Sequence, residues 1–232
     1  MAIYAFARTG DDLADEGQAD AQTRLEQLQA LRRDLRLCTT PGAQFQVQWA
    51  SVFRNLAEQI TLHHLPLDPL HHLLDAFEQD VRYTQEDKHY ETRAELLDYC
   101  TRSAIPIGRL LMHLYGINEA DSLWRSDAIC TALQLINFWQ DLSVDIPRHR
   151  HYLPLESNLE SELNFAHALM IQGAALTERV PGRASWEIGM VVQGGLRILQ
   201  KCRAVDTLVK RPRLNAWDLP LLLLRSACMS RA

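Results

Sequence analysis

The chain has 232 residues, 47% of them hydrophobic and 23% charged, which excludes a disordered or low-complexity protein and allows a sizeable core. Its formal net charge of −5 and lack of any RNA- or DNA-binding motif give no footprint for a nucleic-acid partner. The five cysteines, Cys38, Cys100, Cys130, Cys202 and Cys228, are odd in number, widely spaced and without a CxxC, which argues against a disulfide framework or zinc site and fits a reducing compartment.

Taken in chain order, apolar residues recur at three- and four-residue spacing almost throughout, and alternating strand patterns are scarce. A first helix over Ala2–Glu16 starts without lead-in or N-cap residue, so a missing N-terminal segment is expected. Helices follow over 20–37, 43–62 and 67–86, with Pro41-Gly42 as a break. His63-His64 and His71-His72 are separated by Pro66 and Pro69 and are read as surface loop rather than a metal site. A long helix over 88–115 should kink at Pro106. Further helices are expected over 120–143, 159–179, 184–210 and 216–228, separated at Gly116-Ile-Asn118, Pro147, Pro154 and Pro181-Gly182. The tail RPRLNAWDLPLLLLRSA reads as a docking helix or as a segment touching membrane. No apolar run approaches the ~20 residues of a membrane span. The expectation is an all-α protein, a single-domain helical bundle covering 1–232.

Carboxylates at i, i+4 share a helix face. Such pairs occur at 11/15, 12/16, 16/20, 87/91, 91/95, 141/145 and 156/160, and the spacing alone is a weak signal. The 87/91, 91/95 and 156/160 pairs sit in polar surroundings and are assigned to the surface. The 11/15 pair follows AIYAFA and the 141/145 pair follows ALQLINFW, so both lie on helices rich in apolar residues. Ionised carboxylates stacked there repel one another unless a cation compensates. Two readings stand. Arg8, Arg148 and Arg150 could complete two buried ion-pair networks. Alternatively, the ladders face each other across a cavity and form a cage of hard oxygens suited to Mg²⁺ and a diphosphate. In the second reading Asn137 adds an amide oxygen one turn before Asp141. Arg8, Arg148 and Arg150 grip diphosphate oxygens, and Tyr4 and Tyr152 bond phosphate or offer a π-face to a cation.

Three stretches, YAFARTGDDLADE, YCTRSAIPIGRLLMHLYG and LQLINFWQDLSVDIPRHRHYLP, together resemble the squalene/phytoene synthases, over essentially the whole chain. The resemblance implies the class I isoprenoid (terpenoid) synthase fold with a central cavity. It implies Mg²⁺ ligands at Asp11, Asp15, Asn137, Asp141 and Asp145, with Asp12 and Glu16 next in line. Tyr4, Arg8, Asn137, Arg150 and Tyr152 would bind diphosphate or substrate. Tyr99, Arg8, Arg150 and Tyr152 would be catalytic, Tyr99 facing the cavity where a carbocation is handled. Gly108 would let helices or substrate approach closely.

The Ser103-Ala104-Ile105-Pro106-Ile107-Gly108 variant of the central motif looks like the hydroxysqualene synthase branch of hopanoid biosynthesis. The activity implied is conversion of presqualene diphosphate to hydroxysqualene, with two or three Mg²⁺ ions and without NADPH. Alternatives are head-to-head condensation of two farnesyl diphosphates, giving presqualene diphosphate, squalene or a carotenoid precursor, and a truncated, non-catalytic homologue serving as a partner protein. Gln140 stands where many relatives carry Arg. Phe138 and Trp139 are read as core. The partners implied are an isoprenoid diphosphate, other enzymes of the squalene and hopanoid pathway, and a membrane surface touched peripherally at its inner face by a cytoplasmic protein.

Overall fold

The structure is a computed structural model that describes residues 1–229. The described residues are helical, with no strand beyond one isolated bridge. They fall into two compact units, 1–87 and 88–232 by chain position.

The first unit holds α1 (Ala2–Asp15), α2 (Ala21–Leu37), α3 (Ala50–His63) and α4 (Asp68–Gln85). Asp20 caps α2 by accepting from the Thr23 N–H at 2.8 Å, which satisfies a donor the helix cannot pair internally. Arg24 donates to the carbonyls of Leu13, Gly17 and Ala19 and so fixes the turn between α1 and α2. Leu28, Leu31, Leu35, Phe53, Leu56, Leu70 and Leu74 are fully buried, and Phe6 of α1 meets Phe53 edge-on with ring centroids 5.9 Å apart. The buried Asp34 carboxylate accepts from Trp49 Nε1 and the Gln46 N–H, tying the loop before α3 to α2. His63 closes α3, His64 follows in the left-handed conformation, and Pro69 opens α4. His71 and His72 therefore lie on α4 rather than in the expected loop: a proline in the first helical turn starts a helix instead of breaking it.

The second unit holds α5 (Arg93–Ser103), α6 (Ile105–Leu114), α7 (Ala120–Asp145), α8 (Leu159–Ala174), α9 (Gly182–Ala204) and α10 (Leu219–Met229). Its centre is α7, which packs against α6, α8 and α9 and buries Ile129, Ala132, Leu135, Ile136, Phe138, Trp139 and Leu142 around most of its circumference. A helix apolar on most sides belongs inside a bundle. The expected 88–115 helix is two helices. They part at Ala104, one residue before the turn that Pro106 opens, because proline cannot donate the hydrogen bond that would continue α5. Residues 88–92 are not helical; Leu155 N–H donates to the Tyr90 carbonyl at 3.0 Å beside a His89–His151 bridge. Arg93 then makes a forked pair with the fully buried Glu162 of α8, at 2.7 and 2.9 Å. The 184–210 helix ends at Ala204, and residues 205–215 run as a non-helical strap.

Gly108 belongs to helix packing: a Cβ there would lie 2.6 Å from both Ser126 Oγ and Cys130 Sγ of α7. Cys38, Cys100, Cys130 and Cys202 are free thiols; the Cys228 side chain lies outside the described residues. No helix among the described residues is long and apolar enough to cross a membrane.

Candidate functional site

On α1, Tyr4, Arg8, Asp11 and Asp15 recur at three- and four-residue steps and share a face. Tyr4 is 70% exposed. Arg8 contacts Asp11 at 2.8 Å and Asp12 at 2.6 Å, with Glu16 at 3.9 Å. All four side chains are roughly half exposed, so these pairs hold little energy and yield readily to a stronger cation. Asp15 is half-buried at the end of the helix.

On α7, Asn137, Asp141 and Asp145 form the second ladder. Asn137 is exposed, whereas Asp141 and Asp145 are half-buried. Burial pushes the Asp145 carboxyl up to about 7, and the Asp141 charge adds to the shift while Arg148 and Arg211 oppose it. Burial also raises Asp141, offset by Arg211 and Arg213. Two carboxyls whose burial opposes ionisation, with an amide oxygen one turn away, are the kind of hard-oxygen set that Mg²⁺ takes.

Beyond the ladder the chain turns through Ile146–Arg148, with His149 left-handed, and the Arg150 N–H donates to the Asp145 carbonyl at 3.1 Å. That turn carries Tyr152 back onto α7. Its ring stacks on Phe138 with centroids 3.8 Å apart and planes 11° apart. Tyr99 of α5 lies 6.1 Å from Phe138 and 6.2 Å from Tyr152, and Tyr90 lies 6.0 Å from Tyr99. The four rings form one buried aromatic cluster, beginning one residue after Asn137. Trp139 is fully buried beside Phe138, so both α7 aromatics are core, and Phe138 is also a wall of the cluster.

Two contributors had no signal in local spacing. Arg211, on the strap, sets Nε and Nη2 on the two oxygens of Asp141, with Nη2 at 2.9 Å from Oδ2. Tyr90 joins the cluster only because residues 88–92 lie beside 151–156.

Residues 1–165 match the family model described as squalene/phytoene synthase. The chain belongs to the squalene/phytoene synthase family. It is 36% identical over 156 residues to a hydroxysqualene synthase of Rhodopseudomonas palustris, a match covering 66% of this chain and 49% of that protein. It is 38% identical over 156 residues to a hydroxysqualene synthase of Zymomonas mobilis, covering 66% and 48%. The matched region thus spans about half the length of these curated relatives. Among solved structures, the squalene synthase HpnC of Alicyclobacillus acidocaldarius superposes with a TM-score of 0.76 at 31% identity, over 88% of this chain and 81% of that one. The class I terpenoid synthase fold expected from the sequence is therefore the fold of this squalene/phytoene synthase family member. Its Gln140, where many relatives carry Arg, donates from Nε2 to the Pro212 carbonyl at 2.6 Å, a bond that holds the strap against α7.

Proposed function

We propose that this squalene/phytoene synthase family member is a Mg²⁺-dependent isoprenoid diphosphate enzyme that converts presqualene diphosphate to hydroxysqualene. The observation that carries the reading is the run on α7 from an acidic ladder directly into a buried aromatic cluster. A diphosphate head needs charge and hard oxygens, and the cation left behind needs a dry wall with π-faces. The names of the matched relatives support the same reaction class.

In this reading Asp11 and Asp15 on α1, and Asn137, Asp141 and Asp145 on α7, would be the ligands of Mg²⁺, which would supply neutralisation of the diphosphate oxygens. Arg8, Arg150 and Tyr4 orient the diphosphate. The C–O bond breaks with its electron pair on the departing diphosphate. Tyr99 and Tyr152 flank the resulting cyclopropylcarbinyl cation and exclude bulk water while it rearranges. One water then forms the new C–O bond and releases a proton. No hydride donor enters this balance, so NADPH is not required. Trp217, Leu219 and Leu224, 90%, 51% and 67% exposed, would rest on the membrane surface that holds such lipids.

The test is incubation with Mg²⁺ and presqualene diphosphate, with products identified by mass spectrometry. Hydroxysqualene is expected, and Asp141→Ala should abolish it. A condensed product from farnesyl diphosphate would transfer the assignment to the synthase alternative. Turnover of neither substrate would reject the enzyme reading for this chain.

A further inference from the structure

Ser103 closes α5 with a polar group that the fold leaves unused. The residue is half-buried, yet its Oγ is out of contact with solvent and has no hydrogen-bond partner among the described residues. Serine and threonine on a helix ordinarily return the hydroxyl to a carbonyl three or four residues back. Two residues earlier Thr101 does so, donating to the Asp98 carbonyl at 2.6 Å. On α9 the buried Ser185 donates to the Thr177 carbonyl, also at 2.6 Å. A buried hydroxyl without a partner is destabilising, and a small polar molecule arriving beside it relieves that cost.

The surroundings narrow what that molecule is. Ser103 stands four residues beyond Tyr99, on the same face of α5. Tyr99 belongs to the buried ring cluster with Tyr90, Phe138 and Tyr152. The helix also breaks at this point. The Ile107 N–H donates to the Ala104 carbonyl, three residues back, at 3.2 Å. In an unbroken helix it would go to the Ser103 carbonyl instead. Ser103 thus sets a hydroxyl and a carbonyl beside a wall of aromatic rings, and a water is the molecule small enough and polar enough to use both.

We infer that Ser103 is a positioning residue that holds the single water ending the reaction, and so sets the product as an alcohol. The inference rests on the presqualene diphosphate reading above. In that reading the rings steady the carbocation and keep bulk water away. With no water held among them, the cation ends by losing a proton from carbon and becomes an alkene. At Ser103, the Oγ accepts one O–H of the water and the carbonyl accepts the other, which leaves the water oxygen free to attack. Its lone pair forms the new C–O bond. The proton then lost from that oxygen goes to the departed diphosphate, a base that the reaction itself releases.

The experiment is incubation of the wild-type chain, Ser103→Ala and Ser103→Thr with Mg²⁺ and presqualene diphosphate. Alcohol and alkene products are quantified by mass spectrometry, and the melting temperature of each protein is measured alongside. Ser103→Ala should lower the alcohol-to-alkene ratio about fivefold to tenfold, the size of one hydrogen bond. Ser103→Thr keeps the hydroxyl and should stay near the wild-type ratio. Removing a buried hydroxyl that has no partner breaks no bond of the fold, so Ser103→Ala should melt at or above the wild-type temperature. Ser103→Cys, similar in shape but a poor hydrogen-bonding group, should also lower the ratio and serves if the alanine variant fails to fold. An unchanged ratio in Ser103→Ala or Ser103→Cys would overturn the inference while leaving the wild-type reading intact. Absence of hydroxysqualene from the wild-type chain would overturn the reading and the inference together.

Discussion

Asp218 shows how a single buried carboxylate can be made dependable. Only 3% exposed, it receives Lys201 at 2.6 Å, Arg197 at 2.7 Å and the Asn215 N–H at 2.8 Å. The Lys201 hydrogen bond, then the Asn215 N–H and Arg197, hold its carboxyl well below the usual carboxylate range. A folded value below the unfolded 3.8 means that the stabilisation is complete above that pH and is lost as pH falls through the folded value. Asp218→Asn should therefore lower the urea midpoint by a constant amount between about pH 5 and pH 8. The gap between the two proteins should narrow below about pH 4. A gap that narrowed on the alkaline side instead would contradict this assignment. Asp145 is the opposite case, held up to about 7 by burial and by Asp141. The contrast separates a carboxylate already supplied with cations from one still short of them. Asp141 and Asp145 were legible from sequence because their partnership is local, four residues apart on one helix. Arg211 was not, because its contact with Asp141 spans 70 residues and no local period encodes it.

At the scale of elements, helix existence was written in the apolar period, while helix ends depended on tertiary partners. Pro106 announced a disturbance, but the break at Ala104 also needs α6 to settle close to α7, which Gly108 permits. Residues 88–92 carry no turn signal strong enough to predict that they pair with 151–156 rather than begin α5. That pairing is specified by Tyr90, Tyr99, Phe138 and Tyr152 packing together and by Arg93 meeting Glu162. Gly108→Ala tests the α6–α7 contact directly. A Cβ 2.6 Å from Ser126 Oγ and Cys130 Sγ forces those buried side chains or the helices that carry them to shift, and overpacking of this kind costs about 1–3 kcal/mol. The melting temperature should fall by several degrees. Because α7 also carries the acidic ladder, Mg²⁺-dependent binding of pyrophosphate should weaken as well. An unchanged melting temperature would show that the α6–α7 interface has slack.

At the scale of the whole molecule, the fold class and the family were legible because three separated motifs had to agree, whereas each alone was weak. The local spacing of α1 also offered Arg8 as a partner for Asp11 and Asp12, whereas no motif could supply Arg211 against Asp141. A protein that satisfies its acidic ladders internally gains less from a metal alone than from a metal bound with an anion, since the anion can receive the displaced arginines. Mg²⁺ alone should thus shift thermal unfolding little, and inorganic pyrophosphate alone should also shift it little. Together, at about a hundred times their joint dissociation constant, they should add about 2.7 kcal/mol of linkage stabilisation. For a chain of this length that corresponds to a rise of about 5–10 °C in melting temperature. Asp141→Ala should remove the joint effect, and chelation of Mg²⁺ should reverse it in the wild-type protein. Equal shifts from Mg²⁺ with and without pyrophosphate would mean that the arginines stay on their carboxylates and that the ladders bind metal without a diphosphate.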